Sequence, residues 1–447
     1  MSPFFRKMMK DYLLKTISCT ALLACVFPVF AGWHPVPTPL VPKVVQIESS
    51  QTDAALAETM ASPRTLTAEL RKQPQMSRDP YCRVIAQHLD SLMGDPLLQE
   101  GQLGLCVYDL TDGSLVFEHG MWQRMRPAST MKIVTAVTAL SLLGANYEYA
   151  TGLYLKGRQE GDRWLGDVCV HGGFDPLFDQ AGVKAFVGAL YSRGIRRIEG
   201  NIVLDLSLKD DKRLGWGWCW DDDDPVLSPL LCNGKDNFSL RLTNQLRLKQ
   251  ITFKGEVVQG RIPEGAEQIE CSITPLESVL QPMMKNSDNL MAESMFYQIG
   301  AQSKMAYADR NQAVRYIRRM VKDQLQLDPD AYQFADGSGL SQYNYVTPQL
   351  LVSCLEYAYR NEKIFPAFYA SLPIAGIDGT LKNRMRKTSA FNNVRAKTGT
   401  VTGICSLAGY VTTGHGHLLA FAIINQGQKY SAKARNFQDK VCTLLAE

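Results

Sequence analysis

Strand-like runs lie at both ends of the patterned part of this chain, with helical patterns between them. LGLCVYDL (103–110) and SLVFEHG (114–120) flank Thr111-Asp112-Gly113, a turn signal that predicts a β-hairpin. Near the C-terminus NVRAKTGTV (393–401), ICSLAGYVTT (404–413) and HLLAFAIINQ (417–426) predict three consecutive strands. Apolar residues recur at helical spacing around 81–93, 275–300, 309–325 and 347–361, and a final helix is expected over 431–446. MKIVTAVTALSLLG (131–144) reads as a strongly apolar helix that stops at Gly144, a residue suited to a C-cap. Strands before and after a helical block, with helices at both termini, predict an α+β fold in which helices cover a sheet.

At 447 residues the chain is too long for one ordinary domain. The texture changes near residue 148. YATGLYLKG (149–157), RWLGDVCVHGG (163–173) and IEGNIVLDLS (198–207) read as strands, with a helix near 181–193 and further short strands to about 272. We therefore expect a β-rich insert over 148–272 and a main domain made of 81–147 and 273–447. Residues 32–80 open with Pro35, Pro37, Pro39 and Pro42 and then turn rich in Ser, Thr and Gln, which reads as a linker.

The N-terminus reads as an export signal over 1–31. Arg6, Lys7 and Lys10 precede an apolar run from Ile17 to Phe30, and Val29-Phe30-Ala31 suits a cleavage site. The run is short for a membrane span, which needs about 20 residues. An uncleaved anchor and a lipoprotein site at Leu22-Leu23-Ala24-Cys25 stay open as alternatives; each places the bulk of the protein in the periplasm or cell envelope. The net charge is +4, and Arg6, Lys7, Lys10 and Lys15 against the lone Asp11 supply most of it, so no nucleic-acid partner is expected. None of the eleven cysteines forms C-x-x-C, and no spacing suggests zinc, so neither metal nor cofactor is expected. Cys219 and Cys232 read equally well as a local bridge or as two thiols.

Three short motifs carry chemistry. Ser129-Thr130-Met131-Lys132 begins the apolar helix, and a spacing of three puts the Ser129 hydroxyl and the Lys132 amine on one face. A serine hydroxyl needs a base to become a nucleophile, and a lysine serves if burial lowers its pKa. Ser287-Asp288-Asn289 interrupts a Met-rich apolar run; it reads either as a helix N-cap or as a polar bridge in a cleft. Lys397-Thr398-Gly399, followed by Thr400, lies on a predicted strand. Lys397 and Thr398 suit a carboxylate, and Gly399 would let a substrate backbone approach as an added strand. The histidines show no catalytic arrangement, there is no G-x-S-x-G, and Gly337-Ser338-Gly339 reads as a tight turn.

Alone each motif is weak. Together, once each and in this order, S-x-x-K, S-D-N and K-T-G resemble the signature of active-site serine penicillin-recognising enzymes. Ser129 lies far ahead of Ser287, a longer gap than in class A β-lactamases, and this extra insert resembles peptidase family S13. That family holds the D-alanyl-D-alanine carboxypeptidase/endopeptidases of the low-molecular-mass penicillin-binding proteins. HGGFDPLF (171–178), RGIRRIEGNIVLD (193–205), GWCWDD (217–222), FADGSGLSQYN (334–344) and LPIAGIDGTLKNRM (372–385) are similar to stretches typical of it, with Phe174 a departure.

The resemblance implies a β-lactamase-like transpeptidase domain with an antiparallel sheet and one inserted domain. It implies catalytic Ser129, Lys132 and Ser287. Ser129 would attack the penultimate D-Ala carbonyl of a peptidoglycan stem peptide ending in D-Ala-D-Ala, with Lys132 as base and Ser287 passing the proton on. Asn289 would hold a substrate amide, Lys397 and Thr398 the terminal carboxylate, and the Ser129 and Thr400 amides the oxyanion. β-Lactams would acylate the same serine. In the segment GWGWCWDDDDP (215–225), Asp222 is a candidate for the ammonium of a stem-peptide diamino acid; a solvated loop is the alternative. A β-lactamase or esterase on the same scaffold and a weakly catalytic wall-binding scaffold protein are the rival functions. The sequence leaves a homodimer open.

Overall fold

The structure, a computed structural model, describes residues 75–219 and 225–447. The expected signal segment, most of the linker and Asp222 lie outside the described residues. No helix among the described residues is long and apolar enough to cross a membrane.

A five-stranded antiparallel sheet forms the centre. It is built from β1 (Gln102–Asp109), β2 (Ser114–His119), β10 (Arg395–Val401), β11 (Ile404–Thr412) and β12 (Leu418–Gln426). Their order is β10-β11-β12-β1-β2, so the segments before and after the helical block are joined through the β1–β12 pair. Alternation sends side chains to two layers. Leu103, Leu105, Val107, Phe421 and Ile423 lie in one layer with the terminal helices α1 (Pro80–Leu92) and α10 (Ser431–Leu445). Cys106, Ala422, Ile424 and Tyr410 face the other layer. That layer contains α2 (Met131–Leu143), α5 (Leu276–Lys285), α6 (Asn289–Ala301), α7 (Arg310–Asp323), α8 (Pro348–Arg360) and α9 (Phe365–Ser371).

Local chemistry explains where these helices start and stop. Asp79 caps α1 by accepting from Tyr81 N and Cys82 N, with Pro80 at the first helical position. Every residue of α2 from Met131 to Leu140 is buried, as an all-round apolar helix requires, and Gly144 ends it at φ +86°. The single helical pattern expected over 275–300 is two helices. They break at Asn286-Ser287-Asp288, where Asp288 caps α6 through Met291 N. The expected linker also ends early, because Gln75 O and Ser77 N pair with Leu115 on β2.

The second sheet uses residues 148–275: β3 (Glu148–Glu160), β4 (Arg163–His171), β5 (Arg197–Ile198), β6 (Ile202–Asp205), β7 (Thr252–Phe253), β8 (Val257–Gln259) and β9 (Glu267–Pro275). β3 pairs antiparallel with β4 and β9, whereas β5 and β6 pair parallel with β4. Parallel pairing needs crossovers, and helices supply them. α3 (Gln180–Ser192) was expected; α4 (Phe238–Leu248) was not, although Phe238, Leu242 and Leu246 share one face at a spacing of four. Cys232 packs in this layer's own core while Cys219 is exposed, and the two are not bridged.

Candidate active site

A short 3-10 turn, Ala128–Thr130, delivers Ser129 to the N-terminus of α2. It is held from several sides. Thr130 Oγ1 and Ser406 Oγ both donate to the Pro127 carbonyl, at 2.7 and 2.5 Å. Ala128 has φ +48°, a left-handed conformation that costs a β-carbon-bearing residue about 1 kcal/mol. Two glycines press on the turn. A Cβ on Gly339, whose φ is +80°, would lie 1.9 Å from the Ala128 carbonyl oxygen. A Cβ on Gly399 would lie 2.8 Å from both Ser129 N and Pro127 O and 2.2 Å from Ser406 Oγ. The side of Gly399 that lacks a Cβ therefore faces the serine turn; we expected it to serve the approach of a substrate backbone.

Lys132 is wholly buried one turn along α2. Its Nζ is 3.0 Å from Ser129 Oγ, 2.8 Å from Asn289 Oδ1 and 2.8 Å from the Ser338 carbonyl. Burial lowers its pKa from 10.5 to about 8, against the opposing pull of Asp336, Glu293 and Asp288. A neutral amine has two N–H bonds and one lone pair. Asn289 and Ser338 take both N–H bonds, which turns the lone pair to the Ser129 hydroxyl.

The loop 334–344, in which the sequence reads Gly337-Ser338-Gly339 as a tight turn, lies against Lys132 through the Ser338 carbonyl. Glu293 Oε1 accepts from Gly337 N and Ser338 N, and burial pushes its carboxyl up to about 8. Asp336 accepts from Gly339 N, Ser341 N, Asn344 Nδ2 and Trp218 Nε1. Trp216 and Trp218 thus pack onto this loop, with the Trp216 ring 5.0 Å from that of Tyr343 and Arg310 4.3 Å above Trp216.

Across the cleft Ser287 sits between α5 and α6 at φ +64°, another strained position. Its Oγ accepts from Lys397 Nζ at 2.9 Å, and Lys397 also donates to the Thr398 carbonyl at 2.7 Å. Burial, then the charge of Lys132, lowers the pKa of Lys397 well below that of an ordinary lysine. β10 is the edge of its sheet. Ala396 N donates to Pro373 O and Ala375 N to Val394 O, so residues 373–375 cover the start of that edge. A cleft of about 460 Å³ follows, lined by Ser129, Ser287, Thr398, Thr400, Thr380, Asn383, Arg384 and Arg435.

All three motifs therefore meet at one cleft. Sequence reasoning missed Thr380, whose hydroxyl accepts from Thr398 Oγ1 at 2.8 Å, and the cations Arg384 and Arg435. Glu293 and the Ser338 carbonyl were missed as well. Ser338, Thr380 and Arg384 lie in stretches that resemble the family, but no residue-level signal assigned them, or Glu293 and Arg435, to the cleft.

A serine hydroxyl facing a buried lysine, with a second serine–lysine pair opposite, is an arrangement suited to a serine hydrolase that carries an amine where others carry an imidazole. Matching the D-Ala-D-Ala carboxypeptidase 3 (S13) family over residues 85–230 and 231–447, the chain belongs to that family. It is 26% identical over 413 residues to the D-alanyl-D-alanine carboxypeptidase DacB of Haemophilus influenzae, covering 72% of this chain and 85% of that one. Its fold is similar to the crystal structure of penicillin-binding protein 4 of the same organism. There the TM-score is 0.73 at 23% identity, over 78% of this chain and 98% of that one. A complex of that protein with a β-lactam matches with a TM-score of 0.66 at 23% identity, over 77% and 97% of the two chains.

Proposed function

We infer that Ser129 is the acylated nucleophile of a serine-type D-Ala-D-Ala carboxypeptidase of the penicillin-binding class, acting on peptidoglycan stem peptides in the cell envelope. The observation that carries this reading is the Lys132 amine, with both N–H bonds spent on carbonyl oxygens and 3.0 Å from the Ser129 hydroxyl.

The peptide lies along the open edge of β10 as an added strand. Lys132 takes the Ser129 proton as Oγ attacks the penultimate D-Ala carbonyl. The N–H groups of Ser129 and Thr400 receive the oxyanion, each worth a few kcal/mol in the transition state. The close approach of Gly399 to the serine turn, where a Cβ would lie 2.8 Å from Ser129 N, supports this pairing. Asn289 gives its carbonyl to Lys132, which turns its amide nitrogen to a substrate carbonyl. The Lys397–Ser287 pair passes a proton to the departing D-Ala amine. Thr398, with Arg435 and Arg384 near it, meets the terminal carboxylate. Water then releases the acyl group. A β-lactam acylates Ser129 by the same attack. Residues 148–272 act as a domain inserted into the catalytic one, and the N-terminal signal exports the protein.

Mass spectrometry of sacculus fragments digested by wild type and by Ser129→Ala tests the reading. Wild type removes terminal D-Ala or opens a D-Ala cross-link and is labelled by fluorescent penicillin; the variant does neither. D-Ala release by Ser129→Ala would overturn it.

A further inference from the structure

A second cluster of reactive side chains lies apart from the catalytic residues. Cys82 in α1, Asp109 at the end of β1 and His417 just before β12 are far apart in sequence and meet in the fold. Cys82 Sγ, a carboxylate oxygen of Asp109 and a ring nitrogen of His417 all lie within 4.8 Å of one another. Asp109 Oδ2 is 2.6 Å from His417 Nδ1 and 3.5 Å from Cys82 Sγ.

The supporting contacts are those a ligand set needs. Asp109 Oδ1 is fixed by Thr111 N at 2.8 Å, which aims Oδ2 at the other two donors. The backbone N of His417 is held by Thr413 Oγ1 at 3.1 Å. Cys82 and Asp109 are buried, and His417 keeps 22% of its side chain exposed, so one face stays open to water. Among the described residues no Lys or Arg forms an ion pair with Asp109, whereas Asp79 and Asp112 add negative charge near His417.

We propose that Cys82, Asp109 and His417 bind one divalent cation of the zinc class, with water as a fourth ligand. A thiolate and a carboxylate together carry two negative charges, which neutralise such an ion in a buried place. Zinc bonds of about 2.0–2.3 Å set neighbouring tetrahedral donors roughly 3.3 Å apart. The Cys82–Asp109 spacing already suits this, and the Asp109–His417 gap must open by about 0.7 Å. On binding, the Cys82 thiol loses its proton to solvent. His417 gives up the Nδ1 proton that bonds to Asp109, keeps a single proton on Nε2 and offers the freed Nδ1 lone pair to the ion; any second proton leaves to solvent. The ion ties the N-terminal helix to the sheet ends. The mixed S, O and N set favours zinc over magnesium or calcium, which take oxygen ligands.

Chelator-stripped full-length protein is titrated with Co²⁺ and then Zn²⁺. Wild type should bind one equivalent, with a thiolate-to-cobalt charge-transfer band in the near ultraviolet, and Zn²⁺ should raise its melting temperature. Cys82→Ser and Cys82→Ala should each lose the band, and His417→Gln should weaken Zn²⁺ binding at least tenfold. Penicillin labelling at Ser129 shows that each variant is folded, and Cys219→Ser controls for the exposed thiol. Failure of wild type to bind one equivalent overturns the proposal. So does an unchanged cobalt spectrum in a folded Cys82 variant. Neither outcome bears on the hydrolase reading.

Discussion

If Lys132 is the base, the rate of acylation must follow the fraction of its amine that is neutral. Burial favours that form: lowering the pKa from 10.5 to about 8 corresponds to about 3 kcal/mol. With a pKa of about 8, about one molecule in ten carries the neutral amine at pH 7 and about one in a hundred at pH 6. The second-order rate constant for acylation by a fluorescent penicillin should therefore rise about tenfold per pH unit below 8 and level off above it. Glu293→Gln refines the test, because the amide oxygen keeps the bonds from Gly337 N and Ser338 N. Glu293 ionises at about pH 8, and its charge raises the pKa of Lys132, so the variant's profile should shift by a fraction of a unit to lower pH. The same lysine affects folding. Its folded pKa lies below the unfolded one, so it costs stability below about pH 8, and that cost is relieved as pH rises toward 10.5. An acylation rate that is flat from pH 6 to 9, or a Glu293→Gln shift to higher pH, would refute the assignment.

Two further perturbations probe the frame around the site. Gly399→Ala puts a methyl within 2.8 Å of Ser129 N and 2.2 Å of Ser406 Oγ. Overpacking should cost about 1–3 kcal/mol in thermal melts. Displacement of the serine turn should slow acylation about 100-fold, and a rate within twofold of wild type would contradict this geometry. In the second sheet, buried Asp205 accepts from Ser207 N and Ile262 N, and His171 Nδ1 lies 3.6 Å from its Oδ2. Burial alone would raise its pKa, but these partners hold it below the usual carboxylate range. Its contribution is present above about pH 4 and is lost as pH falls. Asp205→Ala should cost about 2–3 kcal/mol in urea melts at pH 7, and the gap to wild type should narrow at pH 3.5.

Periodicity and short motifs determined a good deal by themselves. The five central strands, the apolar helix ending at Gly144 and the terminal helices follow from spacings of two and of three to four, which local sterics impose. Ser129 and Lys132 are neighbours for the same reason: three residues make nearly one helical turn. The helix break at Ser287 and the unexpected α4 were less legible, because a polar trio in an apolar run and a short amphipathic stretch each admit two readings. Tertiary structure alone brought Lys397 to Ser287, the Ser338 carbonyl to Lys132, and Cys82 to Asp109 and His417. Those contacts join residues far apart along the chain, where no local spacing rule operates. They exist because residues 102–119 and 395–426 complete one sheet, and the packing of helices against its two faces fixes where each side chain points.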